Sequence, residues 1–338
     1  MQQAESPRTN ELNPTHREEM AYRTPADVKK EFRAHPRRAL ILTTLPYETH
    51  AVNAHLTDTE VLIGENGTTY EIGRFSDPAG DWLVVHALTA PGNTDASLVA
   101  AKAHDEFGRF NALMFVGVAG SLKEDIGIGS VVIGDYVYNA HSAKVEDQET
   151  LARSHSIPAA RELLTAAQRL IVTGEWIGLI RSPVGMILPA TKDYPKDCVY
   201  PPEAVIKAIA SGEEVVAGVN SPRAKWFRSH LNDAAAVEME GWGAMNAAHH
   251  ENTAAIIVRG ISDMCAGKNH EEDKLNQPVA AAHAAAFAFS ILSFRSRVPA
   301  PTGSALDGEA KEPAAVQAVE AQHPDLRISW MVAWRDEI

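Results

Sequence analysis

Four apolar runs constrain this chain more than any other feature in it. They are "RALILTTL" from Arg38, "NALMFVGVAGSL" from Asn111, "IGSVVIGDYVYN" from Ile128 and "AAIIVRGISD" from Ala254. At their centres the apolar residues follow one another instead of alternating with polar ones, which is the pattern of strands covered on both faces. Helical stretches separate them. "HALTAPGNTDASLVAAKAHDEFG" reads as a strand end, a glycine loop and a helix capped at Asn93 or Thr94, and "PVAAAHAAAFAFSILSFRSRV" reads as a long closing helix. Strands of this kind alternating with helices give an α/β fold on a mainly parallel or mixed central sheet. Ligands of such sheets bind beyond the carboxyl ends of the strands. The polar residues that follow the first, second and fourth runs are therefore the first candidates for chemistry.

Charge and cysteine usage narrow the function. The net charge of −13 opposes a nucleic-acid polymer as partner but leaves room for a small anion held by backbone donors. Cys198 and Cys265 form no CxxC pair, which speaks against a disulfide framework or structural zinc. The first residues lack the apolar core of a signal peptide, and no run of about 18 apolar residues marks a membrane span. The expectation is a cytoplasmic protein. Residues 1–36 read as a flexible polar arm with a short helix near 25–33, residues 37–298 as the catalytic domain, and the Pro-, Ala- and acid-rich stretch 299–325 as a linker. The last segment, 326–338, carries Trp330, Met331, Val332 and Trp334. It reads as a docking segment, either for its own domain or for another subunit or protein.

Each candidate residue has an ordinary reading and a functional one. Glu48, just past Pro46, is either a partner for a helix dipole or a group facing the crevice. Gly117 and Gly120 read as a tight turn, or as a place where backbone N–H groups approach a ligand; the spacing is neither GxGxxG nor a Walker loop. Asp263 closes the last run as a helix cap or as a crevice carboxylate. In "AAAVEMEGWGAMNAAHH", Glu238 and Glu240 cannot share a face if the stretch is a helix, but can if it is a strand; the stretch reads as a strand-to-helix junction between them, with Gly241 at the turn. One carboxylate then serves structure and the other enters a pocket, where vicinal sugar hydroxyls suit it. Taken jointly, Glu48, Glu240 and Asp263 are carboxylates that one crevice can gather. Departure of a nitrogen base from a sugar needs an acid on the base, a base on water and a grip on the ribose.

"VGVAGSL…IGIGSVVIGD", "IASGEEVV", "AVEMEGWGAMNAA" and "IIVRGISD" together resemble the nucleoside phosphorylase superfamily. The likeness is strongest to 5′-methylthioadenosine/S-adenosylhomocysteine nucleosidases, and "ILTTLPYETHAV" resembles the version of that domain in signalling and defence proteins. It covers about 37–295, with a poorly matching patch near 141–205. The resemblance implies a three-layer α/β fold with a twisted mixed sheet flanked by helices, a homo-oligomer, and neither metal nor organic cofactor. It implies that Glu48 activates water, that Asp263 protonates the purine at N7 with Ser262 in support, and that Glu240 holds the ribose over Met239. Val215 and Val216, with Val118 and Gly120 of the glycine segment, line the substrate site. Phosphorylases of the superfamily hold phosphate with an arginine and a serine, and those places here are Phe115 and Val118. This points to a purine nucleosidase acting on an adenine nucleoside or nucleotide. A phosphorylase rescued by His50 or a neighbour, and a gated or nucleotide-sensing module, stay open. The segment 171–202, with Arg181, Lys192 and Lys196, reads as a surface elaboration or as a changed 5′ pocket. Trp242 reads as core or subunit interface, Cys265 as a bystander near the site, and His249 and His250 do not form HExxH.

Overall fold

The computed structural model describes residues 24–297 apart from 66, 148–149, 187, 189–197, 217, 219 and 266–269. The linker, the Trp-bearing segment, Lys192 and Lys196 lie outside the described residues. The folded unit starts earlier than residue 37. α1 (Pro25–Ala34) is held by a reciprocal cap between Thr24 and Asp27 and buries Val28 and Phe32. Phe32 sits edge-on to Phe107 at 5.4 Å and to Phe110 at 5.5 Å, and Lys29 forms an ion pair with the buried Glu106. Two aromatic contacts and a shielded charge pair make this helix part of the core, so the reading of a flexible arm is corrected for residues 24–36.

β1 (Arg38–Thr43) leads into α2 (Pro46–Asn53), followed by β2 (Thr57–Ile63), β3 (Thr69–Phe75), β4 (Trp82–Leu88) and α3 (Asn93–Phe107). Next come β5 (Ala112–Ser121), β6 (Val131–Asn139), the short strands β7 (Ala143–Val145), β8 (Thr150–Ala152) and β9 (Ser156–Pro158), and α4 (Arg161–Thr173). β10 (Ala204–Ser211), α5 (Pro222–His230), β11 (Ala234–Glu238), α6 (Gly241–His250), β12 (Ala255–Asp263) and α7 (His270–Ser296) complete the order. The main sheet runs β11-β10-β6-β12-β5-β1-β4-β3-β2. The four apolar runs are thus its four adjacent central strands, β6, β12, β5 and β1. Alternate residues of each supply two different cores: Leu40, Leu42, Leu113, Phe115 and Ile257 meet the α1, α3 and α6 side, while Ala39, Ile41, Met114, Ile256 and Val258 meet the α2, α4 and α7 side. That division is the physical content of a three-layer α/β fold with a mixed sheet.

One half of the sheet curls shut. Gly120 and Ser121 at the end of β5 pair antiparallel with Val237 and Ala236 of β11. The ends of β5, β11 and β12 thereby surround one hollow. Close approach of the helices depends on two missing side chains: a Cβ at Gly243 would collide with the Asn93 carbonyl, and one at Gly260 with that of Ala280. α7 is long and apolar enough by composition to cross a membrane, and most of it is buried in the fold, against β12 and β5.

The same core buries a histidine that has no hydrogen-bond partner among the described residues. His55 stacks on Phe289 at 4.4 Å, neither of its ring nitrogens meets a hydrogen-bonding group, and burial pushes its pKa down to about 3, with Arg181 adding to the shift. The unfolded chain takes up this proton near pH 6.5 and the folded chain resists it. His55 therefore costs nothing above the unfolded value and costs stability progressively as pH falls toward the folded one. Glu240, discussed below, works in the opposite sense, so the comparison must be with a variant. Against His55→Phe, wild type should lose about 3 kcal/mol of unfolding free energy between pH 6.5 and 4. Paired urea titrations at several pH values check this, and parallel pH profiles for the two proteins would reject it.

Candidate active site

The hollow at the strand ends is a cavity of about 260 Å³. The nine residues that the resemblance placed in the catalytic and substrate site line it: Glu48, Val118, Gly120, Val215, Val216, Met239, Glu240, Ser262 and Asp263. Val216 is buried, whereas Val215 is 63% exposed and stands at the mouth. Thr44, Glu238, Arg259 and Cys265 also line it.

Glu48 lies in the first turn of α2, and its carboxylate turns back on the chain that leads into that helix. Oε2 accepts from the backbone N–H groups of Thr44 (2.8 Å) and Leu45 (2.9 Å), and Oε1 accepts from that of Val118 (2.8 Å). It is thus both the terminal partner of the helix and a cavity group. A carboxylate has capacity for about four donors, so room remains for one more, such as a water. Burial pushes its pKa up; Arg259 and the three backbone donors pull it back.

The two glutamates of VEMEG divide as the spacing requires. β11 ends at Glu238 and α6 begins at Gly241. Glu238 Oε2 accepts from the N–H groups of Glu240 (3.0 Å) and Gly241 (2.7 Å), which the helix itself leaves free. Glu240 accepts at Oε1 from the Gly92 N–H (3.2 Å) and at Oε2 from Arg259 Nη2 (3.2 Å). Burial raises the Glu240 pKa to about 7; Arg259 opposes this, and Glu238 and Glu48 add to it.

Arg259 was not among the candidates read from the sequence, although a lone arginine inside "AIIVRGIS" was the available signal. It is buried, pairs with both Glu238 and Glu240, and its guanidinium lies 4.5 Å over the Phe115 ring. Burial lowers its pKa, but Glu238, Glu240 and Glu48 more than reverse that. Three carboxyls around one guanidinium leave the cluster short of positive charge, which favours a retained proton among them; burial raises both Glu48 and Glu240.

The glycines are explained differently from the sequence reading. Gly117 and Gly120 lie inside β5, so there is no turn. A Cβ on Gly117 would run into the Arg259 guanidinium and come within 2.5 Å of Glu48 Oε1, and one on Gly120 would come within 2.5 Å of Cys265 Sγ and 3.0 Å of Asp263 Oδ1. They make room for charged side chains. The Asn93 or Thr94 cap is also corrected: the cap is Gly92, with φ 112°. Asn93 is instead a junction. Its Oδ1 accepts from the Ser211 hydroxyl and the Gly243 N–H, each at 2.8 Å, and its Nδ2 donates to the Gly212 carbonyl.

Asp263 ends β12. Its Oδ1 accepts from the Cys265 N–H at 2.8 Å, which the left-handed backbone of Cys265 (φ 53°) makes possible, and the Ser262 hydroxyl donates to Oδ2 at 3.3 Å. His50 is exposed on α2 and does not line the cavity. The 171–202 segment begins within α4 and continues into a 3₁₀ turn, Glu175–Leu179, whose Trp176 is buried against Phe287. Part of its aromatic content is therefore core. Arg181 donates to the Ala54 carbonyl at the end of α2. Trp242 is half-buried against the core on the α3 side.

The arrangement is a small, mostly apolar hollow with the Asp263 carboxyl, the backbone-gripped Glu48 carboxylate and a carboxyl–guanidinium cluster around it. Comparison with known proteins agrees in fold. The chain is 28% identical over 240 residues to an ATP nucleosidase, Cap17, of Escherichia coli (strain KTE188), an alignment covering 68% of this chain and 46% of that protein. It thus spans about half the length of the curated relatives it matches. The 5′-methylthioadenosine/S-adenosylhomocysteine nucleosidase of Neisseria meningitidis superposes with a TM-score of 0.58 at 20% identity, over 76% of this chain and 99% of that one. The futalosine hydrolase of Helicobacter pylori strain 26695, in a mutant form, gives 0.58 at 18%, over 76% and 98%. The phosphorylase superfamily model matches residues 38–293, a span that holds every strand of the sheet and every residue of the site, and the chain belongs to that superfamily.

Proposed function

We propose that the chain is a purine nucleosidase that hydrolyses the N-glycosidic bond of an adenine nucleoside or nucleotide. The observation that carries hydrolysis is the state of the Val118 N–H. In a phosphorylase this region must hold an anion; here the N–H is taken by Glu48, Phe115 lies under Arg259, and Val118 offers no polar side chain. The names of the matching relatives, an ATP nucleosidase and a methylthioadenosine/adenosylhomocysteine nucleosidase, support adenine as the base.

In this reading the purine lies between Val118, Val215 and Val216, and the sugar lies over Met239. Asp263, steadied by Ser262 and the Cys265 N–H, delivers a proton to N7. The C1′–N9 bond breaks with its electron pair going to the base, so positive charge grows on the sugar. Water attacks C1′ and gives its proton to Glu48, whose pKa burial pushes up. Glu240 accepts from the ribose hydroxyls. Glu240→Gln should therefore weaken kcat/KM for a 2′-hydroxyl substrate by about tenfold more than for its 2′-deoxy analogue; equal losses would remove the ribose role.

The experiment is purine-base release from methylthioadenosine, S-adenosylhomocysteine, adenosine, inosine, AMP and ATP, each with and without phosphate. Release without phosphate is expected. Release only with phosphate, yielding a sugar 1-phosphate, would make the chain a phosphorylase. The same reading places the chain in the cytoplasm as a homo-oligomer, with residues 326–338 as a docking segment. Deleting that segment and measuring particle size by light scattering distinguishes docking within a subunit from docking between subunits.

A further inference from the structure

Glu48 can act as a base only while α2 stays where it is, and a chain of polar side chains, three hydrogen bonds and one longer electrostatic contact, fastens that helix to the sheet. Thr49 and Asn53, four residues apart, share one face of α2. Thr49 Oγ1 lies 2.9 Å from Thr43 Oγ1 on β1, and Thr43 Oγ1 lies 3.0 Å from His86 Nε2 on β4. His86 Nδ1 lies 3.9 Å from Glu71 Oε2 on β3, and Asn53 Nδ2 returns to that same oxygen at 2.6 Å. The circuit thus runs from α2 through three strands and back to α2. Thr43 and His86 are buried, so their hydroxyl and imidazole groups have no water to replace a lost partner.

The hydrogen-bond directions follow from the chemistry of the members. Glu71 is a carboxylate, held below the ordinary range first by His86 and then by Asn53 despite its partial burial. At 3.9 Å the carboxylate is too far for a hydrogen bond but still attracts an N–H that faces it, so a proton on Nδ1 is favoured and Nε2 is left as an acceptor. Thr43 donates to Nε2 and accepts from Thr49. Every polar group in the circuit then has a role, and α2 is tied at Thr49, the residue next to Glu48.

We infer that His86 is a positioning residue for the proposed water-activating carboxylate, fixing the first turn of α2 through Thr43 and Thr49 so that Glu48 faces the cavity. This rests on the hydrolytic reading of the site. A small displacement of a catalytic group far from its support is enough to cost about a hundredfold in rate.

Two variants test it. His86→Phe fills the space but removes the acceptor, while His86→Gln offers an amide oxygen where Nε2 stands. His86→Phe should lower kcat for base release by about tenfold to a hundredfold with KM held within about twofold, and His86→Gln should recover most of it. Amide hydrogen exchange, which needs no activity, should show residues 47–53 exchanging at least about tenfold faster in His86→Phe, with β5 and β12 unchanged. Should His86→Phe fail to fold, Thr49→Val cuts the circuit at α2 alone and should shift kcat and exchange in the same direction. Unchanged kcat and unchanged exchange in α2 would overturn the inference. So would equal losses in the phenylalanine and glutamine variants, or faster exchange throughout the molecule, since these mark a general packing role. Loosening confined to α2 in a protein that releases no base from any substrate would leave the positioning role standing and remove the hydrolytic reading instead.

Discussion

Asp263→Asn should lower kcat for purine release by roughly 10²- to 10⁴-fold while substrate binding changes little. The substitution keeps the size of the side chain. An amide oxygen can still accept the Cys265 N–H at the Oδ1 position, and Ser262 can rotate to suit the other end. What disappears is the transferable proton. The effect should also depend on the leaving group. A ribosyl substrate whose aglycone departs as a stable anion needs no acid, so its rate should fall far less than that of an adenine nucleoside. Steady-state kinetics on both substrates, with thermal unfolding as a folding control, check the prediction. Full activity of the variant on an adenine nucleoside would move the acid elsewhere, and equal losses on both substrates would mean that Asp263 acts by shape alone.

The second large effect concerns Arg259→Met. Methionine fills much of the volume above Phe115 but leaves Glu238, Glu240 and Glu48 buried without a cation. Breaking a buried charge pair by removing one partner costs about 3–5 kcal/mol, because the remaining charge stays out of water. The loss should depend on pH in a defined direction. Without the guanidinium Glu48 and Glu240 lie higher still in the folded state, where Glu240 already stands near 7. A carboxyl raised in the folded state takes up a proton on folding, so its penalty is greatest at high pH and fades as pH falls toward the ordinary glutamate range. The gap between wild type and variant should therefore narrow from pH 8 to about pH 5. Comparing the two proteins cancels the opposite contribution of His55, which both retain. A gap that stays constant with pH would show that the carboxyls are not what Arg259 stabilises. Activity should fall too, since Glu240 would lose the partner that orients it.

These two residues show how differently the site could be read in advance. Asp263 was legible because it closes an apolar run, at the end of a strand where ligands of such sheets lie. Arg259, four residues earlier on the same strand, looked like part of that run. Its meaning depends on Glu238, 21 residues back along the chain, on Glu48 from the first α-helix after β1, and on Phe115 from a neighbouring strand. A charge inside an apolar segment is a signal that something must neutralise it, but the sequence does not say what.

By itself the sequence pointed to the layered α/β class, because unbroken apolar runs alternating with helical stretches fit a sheet covered on both faces. It also pointed to a junction between Glu238 and Glu240, because a spacing of two is incompatible with one helix face, and to Glu48 just after the first strand and Asp263 at the end of the last. Only the tertiary structure decided that α1 belongs to the core, that β5 bends across to pair with β11, that Gly117 and Gly120 yield space to Arg259, Glu48 and Asp263, and that Asn93 is a junction and not a cap. The reason is range. Strand burial and helix phase are written in neighbouring residues, whereas a cavity is made by side chains far apart in sequence that the fold alone brings within hydrogen-bonding distance.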